Sequence, residues 1–331
     1  MTKARITGTG SYLPQRVLSN ADLEKIVNTS DDWIVSRTGM KERRIAAADE
    51  FPSDMGFIAA EKALKAARVG PEEIDLIICA TVTPDYIFPG LACLLQAKLK
   101  ATRAAAADIQ AACTGFIYAL FQAKAYVESG MCRHVLIVAA EKLSSIVDYK
   151  DRSTCVLFGD GASACVVSAE GRGLSIRDID IGADGEVAAL LMLPAGGSRM
   201  PASESTVSQG MHYLKMEGKE VFKHAVRRME ISSKTCLDRA GLREDEISWF
   251  VPHQANMRII EALAKRFHVP MERVFLTIHK YGNTSASSVG IALDELIRTH
   301  TLQIGENVLL TAFGGGLTWG SAVLTAEGGE V

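Results

Sequence analysis

The sequence has no stretch approaching the roughly 20 consecutive apolar residues that a membrane-spanning helix needs; runs such as Leu76 to Val82 fall far short. Its first residues, Met1-Thr-Lys-Ala-Arg-Ile-Thr-Gly8, carry no apolar signal core, so a soluble, cytoplasmic protein without membrane attachment is expected. An excess of either charge is missing too: 36 Lys and Arg against 39 Asp and Glu leave a net charge of −3, which gives no footprint for nucleic acid. There is no C-x-x-C pair among the seven cysteines, and seven is an odd number. Neither a disulfide framework nor a metal site is expected, and most of these thiols read as small buried hydrophobes. The glycine-rich loops Phe158-Gly-Asp-Gly-Ala-Ser-Ala164 and Phe313-Gly-Gly-Gly-Leu-Thr-Trp-Gly-Ser321 match neither G-x-G-x-x-G nor the P-loop, which disfavours phosphate cradling. What the chain does have is 331 residues, 48% of them hydrophobic, enough for a large folded core.

Short apolar runs alternate with helical patterns: helix over 59–67, strand over 75–81, helix over 114–129, strand over 135–140. This alternation predicts an α/β fold, and the unbroken apolar run from Leu76 suits a strand covered on both faces. The two halves also resemble each other. Ile74 and Ile247, Ala119 and Ala292, and Val135 and Val308 each differ by 173 positions. One register kept across three elements predicts a duplicated α/β unit, residues 1–170 and 171–331, with the boundary near Glu170 to Leu174 and an extra segment over 184–216. A cleft between the halves is the natural place for a site.

Cys113 stands where a short strand-like run gives way to an amphipathic helix at Thr114-Gly115. The positive end of that helix is expected to lower the thiol pKa and make Cys113 a nucleophile, against the alternative of one more buried thiol. His253, in Pro252-His-Gln-Ala-Asn256, follows the second copy of the Ile74 strand, at the strand's carboxyl edge where α/β folds place ligands. The alternative is an ordinary satisfied histidine, as expected for His134 and His300. Asn283, in Gly282-Asn-Thr-Ser285, either donates its amide to an oxyanion or caps the helix that follows. Backbone amides of the two glycine loops could serve an oxyanion as well.

In this order, Ala-Ala-Cys113-Thr-Gly-Phe, Pro-His253-Gln-Ala-Asn256 and Gly-Asn283-Thr-Ser resemble the Cys-His-Asn set of β-ketoacyl-acyl-carrier-protein synthase III, with Gly8 to Pro14, Asp32 to Gly39, Phe158 to Gly161 and Gly314 to Gly320 extending the resemblance over nearly the whole chain. The resemblance implies a thiolase fold, layered α-β-α-β-α, in a homodimer. It implies a decarboxylative condensation of a short acyl-CoA, typically acetyl-CoA, with malonyl-acyl carrier protein through an acyl-Cys113 intermediate, with no metal and no cofactor beyond the CoA thioester itself. His253 and Asn283 would stabilise the enolate, and Gly315 would supply an oxyanion amide alongside Cys113. Thr29, Trp33, Arg37, Arg152, Gly218 and Asn256 match CoA-contacting positions, with adenine held between Trp33 and Arg152. Phe88 matches a residue that closes the partner subunit's acyl pocket, and Leu143, Phe158 and Met216 match pocket walls. Lys223, Gln254, Arg258 and Lys265 match the surface that docks the carrier protein.

The pattern departs from its commonest form at Thr114 and over Pro84 to Phe88, which bears on starter length. A related condensing enzyme with a longer or specialised starter is the nearest alternative. A silent binding module would have no need of all three site residues, and a papain-like hydrolase carries a different signature around its cysteine.

Overall fold

The computed structural model describes residues 3–327; Met1, Thr2 and positions 328–331 lie outside the described residues. Consecutive apolar residues make strands covered on both faces. The principal strands are β1 (Arg5–Tyr12), β2 (Leu76–Ala80), β3 (Ala105–Ile109), β4 (His134–Glu141), β5 (Gly161–Ser168), β6 (Gly173–Ala183), β7 (Ile247–Pro252), β8 (Asn307–Gly314) and β9 (Thr318–Glu327). Every residue of β4 and β5 is buried. The principal helices are α1 (Asp31–Thr38), α2 (Pro52–Ala67), α3 (Leu91–Leu99), α4 (Gly115–Glu128), α5 (Gly218–Ala240), α6 (Met257–Arg266) and α7 (Ser287–Thr299).

The strands run in the order β7-β8-β9-β6-β1-β5-β4-β2-β3. At the centre, β1 and β6 meet through two residue pairs, Arg5 with Ser175 and Ile6 with Leu174. This seam divides the strands into a five-stranded and a four-stranded sub-sheet, and helices α4 and α7 touch strands of both. Helices α2 and α3 cover the outer face of the first sub-sheet and α5 that of the second, which completes the layers α-β-α-β-α. The outer helix comes unusually close to β1. A Cβ on Gly8 would lie 2.3 Å from Ala67 N and 2.4 Å from Ala63 O, so the alanines of α2 rest on bare strand backbone.

Several elements of the two halves recur at the same spacing in the fold. Strand β4 begins at His134 and β8 at Asn307, α2 ends at Ala67 and α5 at Ala240, and the turns Pro71–Glu73 and Glu244–Glu246 follow them, all 173 positions apart. The outermost strand differs: beyond β7 there is an isolated bridge between Phe250 and Val274 in place of a strand like β3. The same spacing relates Ala112 (φ 45°) and Ser285 (φ 52°), two non-glycine residues in the left-handed region just before α4 and α7. The break at 170–171 falls between Ser168, where β5 ends, and Gly173, where β6 begins. Residues 184–216 form short turns and a two-stranded ribbon that pairs Leu191–Met192 with Lys215–Met216. Among the described residues no helix is long and apolar enough to cross a membrane.

Candidate active site

The N-termini of α4 and α7 meet where the two sub-sheets face each other. A Cβ on Gly115 would lie 2.8 Å from the Ala80 Cβ and 3.3 Å from the Ala286 Cβ, so only glycine lets the two helix starts approach this closely. Cys113 sits in the tight turn Ala112–Thr114 that opens α4, buried at 8% exposure. The glycine loop after β8 presses on this turn: a Cβ on Gly314 would stand 2.6 Å from Cys113 N and 3.2 Å from Ala111 O. Thr318 ties loop to turn. Its hydroxyl donates to Ala111 O (2.9 Å) and Gly315 O (3.2 Å) and lies 3.1 Å from the Thr114 hydroxyl.

The expected lowering of the Cys113 pKa is not found. Burial pushes the thiol up to about 12, with the Glu141 carboxylate adding to the rise, while the Ser285 hydroxyl and the Cys113 amide oppose it. Desolvation of a thiolate in this site outweighs the hydrogen-bond donors that oppose it. Cys113 is therefore a protonated thiol in the resting site.

His253 follows β7 and is buried, its amide donating to Thr311 O on β8 at 2.8 Å. Its Nδ1 lies 2.5 Å from Ser288 Oγ on α7, and burial lowers its pKa to about 3, so the ring is neutral. Asn283 does not cap α7, which starts four residues later with Ala286 preceding it. Instead its Oδ1 accepts from the Ser285 amide (2.8 Å), while its own backbone pairs with Leu157 O and Gly159 N beside Phe158. With Oδ1 thus fixed, the side-chain NH2 is the group left to donate. The Phe158 loop accordingly sets the register of Asn283.

Three further residues belong to this site and were not singled out by the sequence. Glu141, the last residue of β4, is fully buried and accepts from the Thr81 hydroxyl (3.1 Å), Val82 N (3.1 Å), the Thr83 hydroxyl (2.6 Å) and the Ser285 hydroxyl (3.0 Å). Burial raises its pKa, and the donors counter the rise. Ser285 and Thr318 are the others. The one signal in the sequence is an acid ending an otherwise apolar strand; Ser285 and Thr318 hide among many hydroxylated residues.

The outer positions fall into two groups. Trp33 meets the Arg37 guanidinium at 4.8 Å and that of Arg152 at 4.6 Å. Arg152 therefore lies on the indole itself, with no gap between them of the kind expected for an adenine. A cavity of about 390 Å³ lined by Ile26, Val27, Asn28, Lys150 and Arg152 adjoins this stack, and the nearby Thr29 hydroxyl is buried without a hydrogen-bond partner. Asn256 caps α6 through Arg258 N (2.9 Å), and Gly218 opens α5 at the surface beside Met216. Leu143 and Phe158 are buried. Phe88 is 84% exposed and stands outside this chain's own site. Lys223, Arg258 and Lys265 are exposed. Gln254 is not, which corrects its expected place on a docking surface. Its side chain is fully buried, accepts from Thr277 N and Ile278 N, and donates to Pro252 O and Phe275 O. Every polar atom of that amide is used in holding the His253 turn.

Known proteins resemble this chain over nearly its whole length. Residues 107–185 match the family model described as 3-oxoacyl-[acyl-carrier-protein] synthase III, and residues 237–326 match the model of that family's C-terminal part. A Chlamydia trachomatis protein named β-ketoacyl-[acyl-carrier-protein] synthase III is 61% identical over 323 residues, 97% of this chain and 99% of the relative. The solved structure of the 3-oxoacyl-[acyl-carrier-protein] synthase III of Aquifex aeolicus is 50% identical with a TM-score of 0.90, covering 97% and 99% of the two chains. The priming β-ketosynthase of the R1128 polyketide pathway is 38% identical with a TM-score of 0.90, over 98% and 97%.

Proposed function

The chain belongs to the β-ketoacyl-[acyl-carrier-protein] synthase III family, and from that premise we propose how its buried site performs the condensation. It is an acyltransferase of fatty-acid biosynthesis that joins an acyl-CoA to malonyl-acyl carrier protein. The starter is a short acyl group, acetyl first among them. In the first half-reaction the Cys113 sulfur attacks the thioester carbonyl and CoA departs as the thiol, so the proton lost by Cys113 ends on the CoA sulfur. The amides of Cys113 and Gly315 hold the oxyanion of the tetrahedral intermediate.

The observation that carries the second half-reaction is the contact of His253 Nδ1 with Ser288 Oγ at 2.5 Å in a ring that burial keeps neutral. We assign the Ser288 hydroxyl as the donor, which leaves the imidazole proton on Nε2. A ring protonated at Nε2 is a hydrogen-bond donor there, not a base for the thiol. With the Asn283 amide it offers two donors to one oxygen. Malonyl-carrier protein loses CO₂, the electron pair of the broken C–C bond passes into the thioester, and the enolate oxygen is held by these donors. The enolate carbon then attacks the acyl group on Cys113, whose sulfur leaves as the thiolate and regains its proton from water.

CoA enters past Trp33 once Arg152 lifts from the indole, and Lys223, Arg258 and Lys265 face the acidic carrier protein. The working unit is a homodimer. Among the described residues strand β3 pairs only with β2 and its other edge is open, while Tyr86, Ile87 and Phe88 stand exposed beside it, the chain turning back at Leu91 and Ala92 onto Asp108 of β3. An open edge flanked by exposed large apolar side chains is a surface that proteins cover. Phe88 would then reach the partner's acyl pocket.

The test is intact-protein mass spectrometry with acyl-CoAs of graded length. Wild type should gain the mass of the acyl group and Cys113→Ala should not; labelling that persists in the variant removes Cys113 from its role. A preference for long or aromatic starters would move the protein to the specialised condensing enzymes.

A further inference from the structure

Arg43 is fully buried, on the short strand Glu42–Ile45 that pairs antiparallel with Arg16–Ser19. Its hydrogen-bond partners are all uncharged. Nη1 donates to Asn20 Oδ1 at 2.8 Å and to Leu18 O at 3.3 Å, and Nη2 donates to Val156 O at 2.6 Å, while Nε has no partner among the described residues. A guanidinium stays protonated, so this is a buried cation facing neutral oxygens. Burying a charge in this way is costly, and an apolar side chain would fill the space without that cost. An apolar side chain could not, however, tie two segments together through a rigid fork of donors.

The two segments differ in what they carry. Asn20 is a fixed brace: it is buried, and its Nδ2 donates to Asp31 Oδ1 at 2.7 Å and to Met40 O at 2.9 Å. Val156 opens the run Val156-Leu157-Phe158-Gly159, which brackets Asn283. The Asn283 amide donates to Leu157 O at 2.8 Å, and the Gly159 amide donates to Asn283 O at 3.0 Å. The stem of Arg43 lies against both sides of this bridge, since a Cβ on Gly159 would stand 3.1 Å from the Arg43 Cβ and one on Gly282 would stand 3.2 Å from it. One side chain therefore supports the bridge with its stem and holds one strand of it with its head.

We propose that Arg43 is a positioning residue for Asn283: its guanidinium, braced on Asn20, holds the run 156–159 at Val156 O, and that run fixes the backbone from which the Asn283 amide is aimed at the enolate oxygen. The inference rests on Asn283 being an enolate donor. Its effect falls on the second half-reaction, because Cys113 is framed by other contacts, from Gly314 and from Thr318 through Ala111 O. Displacing a catalytic group by about 1 Å costs on the order of 10² in rate. A donor that is kept but mis-aimed therefore loses part of the roughly 10²–10³ that its complete removal costs.

Two variants test this. Arg43→Met keeps the stem and removes the fork, and Arg43→Lys keeps the charge but not the fork. In both, release of labelled CO₂ from malonyl-carrier protein should slow by about tenfold or more, while acetylation of Cys113 at saturating acetyl-CoA, followed by intact-protein mass spectrometry, stays close to wild type. Placed on Asn283→Ala, Arg43→Met should slow CO₂ release by no more than about twofold further, because there is no donor left to aim. A merely structural arginine would lower acetylation as much as CO₂ release, and its loss would multiply with that of Asn283→Ala. Either result overturns the proposal, as does CO₂ release at the wild-type rate in the Arg43 variants. If Arg43→Met does not fold, Arg43→Lys and its double variant with Asn283→Ala decide by the same readouts. Failure of the premise looks different: Asn283→Ala alone would then release CO₂ at the wild-type rate, which overturns the donor assignment and this proposal together.

Discussion

Removing His253 or Asn283 should separate the two half-reactions, because with the His253 proton assigned to Nε2 both residues offer donors and neither offers a basic atom to the thiol. The Nδ1 of His253 is occupied by Ser288 and its ring is neutral, with a pKa near 3; the Oδ1 of Asn283 is occupied by the Ser285 amide. Deleting one donor to a developing oxyanion costs on the order of 10²–10³ in rate, about 2.7–4 kcal/mol. His253→Ala and Asn283→Ala should therefore release CO₂ from labelled malonyl-carrier protein at least a hundredfold more slowly while still acquiring an acetyl group on Cys113. Cys113→Ala should behave in reverse, forming no acyl-enzyme and no condensation product but keeping some decarboxylation. Asn283→Ala carries a second cost, since it leaves the buried Ser285 N–H without its partner, a penalty of about 1–3 kcal/mol in stability. Both assays therefore belong well below the melting temperature of each variant, read from thermal unfolding. Equal loss of acylation in all three variants would refute the reasoning. His253 would then act as general base on the thiol, and its tautomer would be the opposite of the one assigned here.

Gly314→Ala should lower acylation and condensation together by on the order of 10², because its Cβ would meet the Cys113 amide at 2.6 Å and only backbone movement relieves that contact; unchanged acylation kinetics would show that the loop can give way. Trp33→Ala should weaken acyl-CoA capture by about 1–3 kcal/mol through loss of a stacking face, with condensation from a preformed acyl-enzyme unchanged; acylation at limiting acetyl-CoA that is no slower would make Trp33 a packing residue. His253 binds its proton more weakly folded, near pH 3, than in the unfolded chain, near 6.5, so the unfolded state holds more protons between these values and stability falls as pH drops from about 6.5 toward 3. His253→Ala should lose less melting temperature than wild type over that range, and parallel curves would contradict a buried neutral imidazole.

What could be read from the sequence was whatever the chain repeats in register. The interval of 173, found from three apolar words, reappears in the starts of β4 and β8, in the ends of α2 and α5, and in the left-handed pair Ala112 and Ser285. Cys113 was legible on a separate ground, since a thiol at a strand-to-helix turn is a local pattern. The properties that depend on what surrounds a residue were not legible. The helix terminus before Cys113 predicted a lowered thiol pKa, but nothing in the neighbouring letters says that the turn is buried against Gly314 and faces Glu141, 28 positions away. Gln254 sits one residue from His253 and resembled a docking residue by position alone; only the packing of its amide between Thr277 N and Pro252 O shows that it supports the turn from within. Ser285 is the sharpest case. By sequence it is one hydroxyl in a run of four, and by the duplication it is the partner of an alanine. Its place shows only in the fold, where its hydroxyl donates to Glu141, 144 positions away, and its amide donates to Asn283 Oδ1.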